Sequence, residues 1–322
     1  MRTLRGLGLL ALFLGFAQVV FGAIVRITGS GMGCGDHWPD CYGSFTPAHN
    51  GPNLLVEISH RYGAAALSLA IAVLAVAAWL KRREPGVGGP GGVLRPSIVA
   101  VLLVVVAALF GAVTVKLALD PLVVVTHLAI AMSLLAVLVL VVVRAGGFGA
   151  LAIGERSQRT VRAGMIATDL TFIALVLGAL TANTPGAPLA CQGFPWCNVI
   201  GERGSPLVIH VWHRIIALLL LGHLIGVAIA VRKRGEPRPL RIAAWIALSL
   251  VSLQIVVAAT MVEMHLPALL RSIHQAVGTA LWIAVVALTA LASGQRFMTD
   301  MERIVYESPS RGEYATPEGV ST

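Results

Sequence analysis

Charge is what this sequence has least of. Asp, Glu, Lys and Arg make up 12% of its 322 residues, about half the share typical of soluble domains. That is too little polar surface to keep a globule of this size in water, so a soluble domain is excluded. The shortage is uneven, with 15 acidic residues against 24 basic ones. Cysteine is sparse too: there are four, confined to two short stretches. What is abundant is apolar sequence, at 57% hydrophobic residues and a mean hydropathy of +0.84.

Apolar runs recur at 7–28, 54–80, 97–118, 121–143, 163–183, 207–231, 242–262 and 268–292, each long enough to cross ~30 Å of hydrocarbon as a helix. The pattern predicts an all-α integral membrane protein with eight transmembrane helices. The opening "MRTLRGLGLLALFLGF" has the basic start and apolar core of a secretory signal. Its apolar run is too long for one, and it has a counterpart later in the chain, so it is read as the first span.

The net charge of +9 does not point to nucleic acid, because 18 of the 24 lysines and arginines lie on one side of an eight-span arrangement, among them Arg2, Arg5, residues 81–83, Arg156, residues 232–234, Arg238 and Arg241. The positive-inside rule makes that side cytoplasmic, places both termini there and predicts a multi-pass protein of the cell membrane. The two outer loops of real length, about 29–53 and 184–206, hold all four cysteines: Cys34 and Cys41 in "CGDHWPDC", Cys191 and Cys197 in "CQGFPWC". On an oxidising face two local disulfides, Cys34–Cys41 and Cys191–Cys197, are the favoured reading, with free thiols the alternative. Zinc is disfavoured, since these loops add few ligands beyond His37 and His49.

The chain also repeats itself. "GAIVRITGSGMGCGDHWPDC" matches "GALTANTPGAPLACQGFPWC", "EISHRYGAAALSLAI" matches "HVWHRIIALLLLGHL", and "DPLVVVTHLAIAMSLL" matches "LPALLRSIHQAVGTAL". Two tandem four-helix bundles follow, 1–143 and 163–293, joined by a cytoplasmic linker at 144–162 and ending in a polar, flexible tail at 294–322. With an even number of spans in each half, the pseudo-twofold axis should run along the membrane normal.

In this register His60, His127, His213 and His274 fall at matched positions, each six residues after the start of its apolar run, or ~9 Å below the outer face. Each half can thus present two imidazoles from different helices at one depth. That suits a planar metal macrocycle between opposed axial ligands, with haem b the simplest cofactor. Arg61 and Arg214 directly follow His60 and His213 and can snorkel outward to where propionates would lie, or anchor helix ends. His223, His265, His37 and His49 have no such partners and are read as structural. The halves differ at one telling place, because Glu57, three residues before His60, is matched by His210. An intramembrane carboxylate is costly and suits proton transfer or stabilisation of positive charge.

Taken together, the eight spans in two like halves, "EISHR", the four histidines and the paired loop cysteines resemble haem A synthase, the membrane enzyme family that completes the haem of cytochrome oxidase. The resemblance implies an oxidoreductase that converts a methyl group of haem O to the formyl group of haem A through an alcohol. It further implies haem b on His213 and His274 in the C-terminal half, substrate haem held by His60 and His127, and Glu57 at the reacting end. The implied partners are haem O, the haem O synthase that supplies it, an electron partner and membrane lipid, with a homo-oligomer compatible and nucleic acid excluded. Two other readings stay open: a di-haem electron carrier of the cytochrome b kind, and a transporter of haem or another lipophilic anion.

Overall fold

The computed structural model describes residues 1–45, 51–150 and 157–293. The expectations placed on His49, Arg156 and the 294–322 tail lie outside the described residues. Eight long helices run through the described chain: α1 (Arg2–Ile27), α2 (Pro52–Leu80), α3 (Leu94–Lys116), α4 (Pro121–Arg144), α5 (Gln158–Asn183), α6 (Ser205–Lys233), α7 (Arg238–Glu263) and α8 (Ala268–Ser293). All eight are long and apolar enough to cross a bilayer, and the chain is a multi-pass membrane protein. Several begin before their apolar run does, and the added turns carry Arg2, Arg5, Arg159, Arg162, Arg238 and Arg241. Hydropathy marks the hydrocarbon, whereas backbone hydrogen bonding continues into the polar interface.

Local chemistry sets the helix starts. Proline occupies the first or second position of α2, α4, α6 and α7, where a missing N–H costs nothing. Asp120 caps α4, its Oδ1 accepting from the N–H groups of Leu122 at 2.9 Å and Val123 at 3.2 Å. The α3–α4 and α7–α8 hairpins use one turn twice. Ala118 and Leu119 (φ 49° and 63°), and His265 and Leu266 (φ 60° and 64°), take the left-handed conformation in succession. Leu119 N–H then closes on Thr114 O, and Leu266 N–H on Met261 O, both at 2.8 Å. His265 is thus a turn residue.

In the first half α1 packs on α2 and α4, and α3 packs on the same two helices; in the second half α5 packs on α6 and α8, as does α7. Glycine lets α1 approach α4 closely: a Cβ at Gly15 would lie 2.9 Å from Leu135 Cδ2, and one at Gly8 3.2 Å from Val141 Cγ1. The halves meet along α1, α4, α5 and α8. Helix α8 is the most enclosed, with 61% of its most apolar window buried against 22–39% for the other seven. Its Trp282 Nε1 donates to Met132 O of α4 at 2.8 Å, and its ring lies 5.6 Å from that of Phe172 on α5. Phe13, Leu69, Leu102, Val256 and Leu269 face outward, as lipid-facing positions must.

Two disulfide loops close one end of the bundle. Cys34–Cys41 and Cys191–Cys197 are both formed, and no cysteine is free. The first bridge packs with Leu54 and Ile58 of α2. The second loop carries a small antiparallel ribbon, β1 (Cys191–Gln192) on β2 (Val199–Ile200). Arg26 donates to Ala182 O at 3.2 Å, so the loop ends of α1 and α5 lie side by side.

Trp282→Phe keeps a smaller aromatic ring and removes one of the hydrogen bonds between the halves, leaving that of Arg26 to Ala182 O. It should cost about 1 kcal/mol and lower the thermal midpoint in detergent by a few degrees. An unchanged midpoint would show that this bond does not hold the halves together.

Candidate functional site

Beneath the disulfide loops the helices carry the four histidines inward. His60 and His213 lie eight residues into α2 and α6 (52 to 60, 205 to 213), and His127 and His274 six into α4 and α8 (121 to 127, 268 to 274). The first two helices simply start higher.

His213 and His274 face one another with ring centroids 6.5 Å apart and planes at 77°. Two imidazoles on one metal, each nitrogen ~2.0 Å away, have centroids roughly 6 Å apart, so the spacing fits a pair of axial ligands. His213 Nδ1 is 3.0 Å from Ala174 O. A carbonyl can only accept, so Nδ1 carries the proton and the Nε2 lone pair is left for a metal. His274 is held by Gln254, whose Nε2 donates to His274 O at 3.0 Å and lies 3.2 Å from the ring Nε2. Among the described residues three buried polar side-chain atoms lack a partner: His127 Nδ1, Gln254 Oε1 and His274 Nδ1. All belong to the histidine clusters, and orphaned polar atoms in an apolar bundle mark a place where something else binds. No three His, Cys, Asp or Glu among the described residues gather as a bare ion would require; opposed pairs are what a macrocycle requires.

The first half varies the same plan. Gln18 Nε2 on α1 donates to His60 O at 2.8 Å and sits 3.0 and 3.3 Å from the two ring nitrogens. Phe21 stands edge-on to the ring at 5.9 Å. Glycine clears space for both rings: a Cβ at Gly22 would lie 3.1 Å from His60 Cε1, and one at the matching Gly178 would lie 2.9 Å from His213 Cε1. The supports are exchanged between halves. Gln18 is matched by Ala174, four residues before each glycine, and Gln254 by Ala107, twenty residues before each histidine.

Glu57 is buried at the loop end of α2. Its Oε2 accepts from Cys34 N–H at 2.8 Å, and its Oε1 meets Arg61 at 2.5 Å. Arg61 also donates to Asp40 O at 2.7 Å and Pro39 O at 3.3 Å. Arg214 is the counterpart, donating to Cys191 O and Gly193 O at 2.7 Å and to Pro195 O at 3.4 Å. His210, in Glu57's place, pairs through Nδ1 with Ala187 O at 2.9 Å. Arg61 and Arg214 thus both clamp the disulfide loops, and Glu57 is part of the first clamp. His223 Nε2 meets Ala163 O at 2.9 Å, a structural partner.

A family model described as cytochrome oxidase assembly protein (COX15-CtaA) matches residues 5–286. The chain belongs to this family. Among its relatives, the heme A synthase of Bacillus pumilus is 32% identical over 234 residues, covering 68% of this chain and 71% of that one. The heme A synthase of Geobacillus kaustophilus is 28% identical over 255 residues (76% and 77%), and that of Bacillus cereus strain G9842 is 26% identical over 291 residues (84% and 88%). The haem A synthase resemblance read from the histidines and cysteines is borne out.

Sequence reasoning for the haem A synthase family missed Gln18 and Gln254. Their signal was present: each is a lone carboxamide in an otherwise apolar stretch, where its polar group must find a partner. Gly22 and Gly178 gave no such signal, because glycine is common in membrane helices for packing alone.

Arg61→Ala strands a buried carboxylate and should destabilise the protein by about 3–5 kcal/mol. Combining it with Glu57→Gln should recover part of that loss, as read by thermal unfolding in detergent. A double variant no more stable than Arg61→Ala would show that the pair is not coupled.

Proposed function

We propose that this family member oxidises a methyl group of haem O to the formyl group of haem A by way of an alcohol, the substrate sitting between His60 and His127 and a resident haem b between His213 and His274. The observation that carries the reading is the His213–His274 pair, with ring centroids 6.5 Å apart, together with Glu57 one helical turn from His60 where the second half has His210. When bound, haem b supplies one-electron redox chemistry. Methyl to alcohol, with water supplying the oxygen, and alcohol to aldehyde each remove two electrons and two protons, the electrons leaving through an electron partner.

The chain's own residues bind, orient and move protons. His60 and His127 fix the substrate's plane and depth. Glu57 lies on the His60 face of α2, three residues toward the loop, where it takes up one of the two protons released at each step and offsets positive charge growing at the oxidised carbon. Arg61 and Arg214, anchored on loop carbonyls, turn their remaining N–H groups toward the propionates. Cys34 N–H aims the Glu57 carboxylate, so the first disulfide loop is a lid whose backbone belongs to the site. The two tandem pseudo-twofold bundles are part of the same reading, supported by the repeated neighbour pattern and the repeated hairpin turn. The orientation, with cytoplasmic termini and outer cysteine loops, rests on the distribution of basic residues.

Haem extracted from protein made without a haem O supply should be haem b alone, and haem O and A should accompany it when the supply is restored. Full haem in both halves without haem O would instead mean a di-haem electron carrier. His213→Ala and His274→Ala should strip the resident haem, while His60→Ala should leave most of it. The reverse pattern would exchange the roles of the halves.

Glu57→Gln should fold with normal haem b, lose ~10²–10⁴-fold in haem A formation and accumulate haem O or the alcohol. Haem A formed at the wild-type rate with matched protein levels would make Glu57 purely structural.

A further inference from the structure

At the end of the bundle opposite the disulfide loops, α7 and the end of α6 line an open groove of about 730 Å³ that no part of the proposed chemistry uses. The volume lies within the ~300–1,000 Å³ usual for ligand sites. Its rim carries Arg232 from α6 and Arg238 and Arg241 from α7; its wall is Ile242, Trp245, Ile246 and Leu250, with Ser249. Along α7 these positions fall at i, i+3, i+4, i+7, i+8, i+11 and i+12 from Arg238, so they form one continuous stripe. From Arg238 to Ser249 the stripe runs about 16 Å, close to one leaflet of a ~30 Å hydrocarbon core. Cations stand at its outer edge and apolar side chains below, with Trp245 47% exposed.

The arginines are uncommitted. Arg5 and Arg144 donate to Gly146 O and Gly92 O, and Arg82 donates to Trp79 O and lies over its ring. Among the described residues Arg232, Arg238 and Arg241 have neither a carboxylate nor a carbonyl partner. The nearby carboxylate, Glu236 in the α6–α7 turn, is buried and already engaged by Thr160 and Arg234. The first half gives this end a long loop that buries Val87 and Val93, whereas the second has only the short turn 234–237.

We propose that this groove is a binding site for an anionic diacyl phospholipid, its phosphate held by Arg232, Arg238 and Arg241 and its acyl chains lying along Ile242, Trp245 and Ile246. Three guanidinium groups over an apolar wall match a phosphate carried on hydrocarbon, and a leaflet-length stripe matches lipid rather than a soluble phosphate.

Native mass spectrometry of the detergent-purified full chain, titrated with phosphatidylglycerol or phosphatidylcholine, tests the assignment. Phosphatidylglycerol should bind at least tenfold more tightly than phosphatidylcholine. Arg241→Gln should weaken it about fivefold, and the triple replacement of Arg232, Arg238 and Arg241 by Gln by about a hundredfold. The single variant serves if the triple one does not fold. A brominated phosphatidylglycerol should also quench fluorescence in the wild type more than in Trp245→Phe. Equal binding of the two lipids, or phosphatidylglycerol binding unmoved by Arg241→Gln, would overturn the proposal. So would displacement by glycerol 3-phosphate at similar concentration, which would make this a phosphate site. Lipid binding seen only after removal of residues 294–322 would make the chain's own tail the occupant and likewise overturn it.

Discussion

An imidazole placed in hydrocarbon must either satisfy both ring nitrogens within the protein or give a lone pair to something else, since water is absent. That constraint organises the bundle. His213 is fixed through Nδ1 by a backbone carbonyl, and His274 is steadied by Gln254 yet keeps a buried nitrogen without a partner. Gly22 and Gly178 are bare because a Cβ would press on the rings. The clamps above serve the same geometry, because Arg61 and Arg214 pull the disulfide loops down over the helices that carry His60 and His213.

The hairpin turns, the arginine clamps on the loops and the glycine clearances each occur twice along the chain. Glu57 does not: its counterpart His210 makes one bond to a loop carbonyl, whereas Glu57 joins an arginine to a backbone N–H beside the disulfide. The glutamine supports are likewise exchanged, α1 carrying Gln18 beside His60 and α7 carrying Gln254 beside His274.

Much of this was legible in the sequence. Eight apolar runs gave eight helices, because no other backbone structure built from such runs satisfies its own hydrogen bonds in lipid. Cysteines six and seven residues apart in short loops closed locally. Helix ends were less legible, since hydropathy does not record where hydrogen bonding stops. The arginines could not be assigned either: a guanidinium near an interface serves a carbonyl and a carboxylate equally well, and only the loop's path decides which it meets. Gln254 stood out as a carboxamide in an apolar run, but its partner, on another helix twenty residues away, could not be read from the run itself.

The central claim is that His213 and His274 are opposed axial ligands of a resident haem. It is tested most directly by the electron paramagnetic resonance spectrum of oxidised protein purified from cells that make no haem O. With imidazole planes at 77°, a single, strongly anisotropic low-spin ferric signal is expected. A high-spin signal, or two low-spin signals of equal weight, would contradict the account.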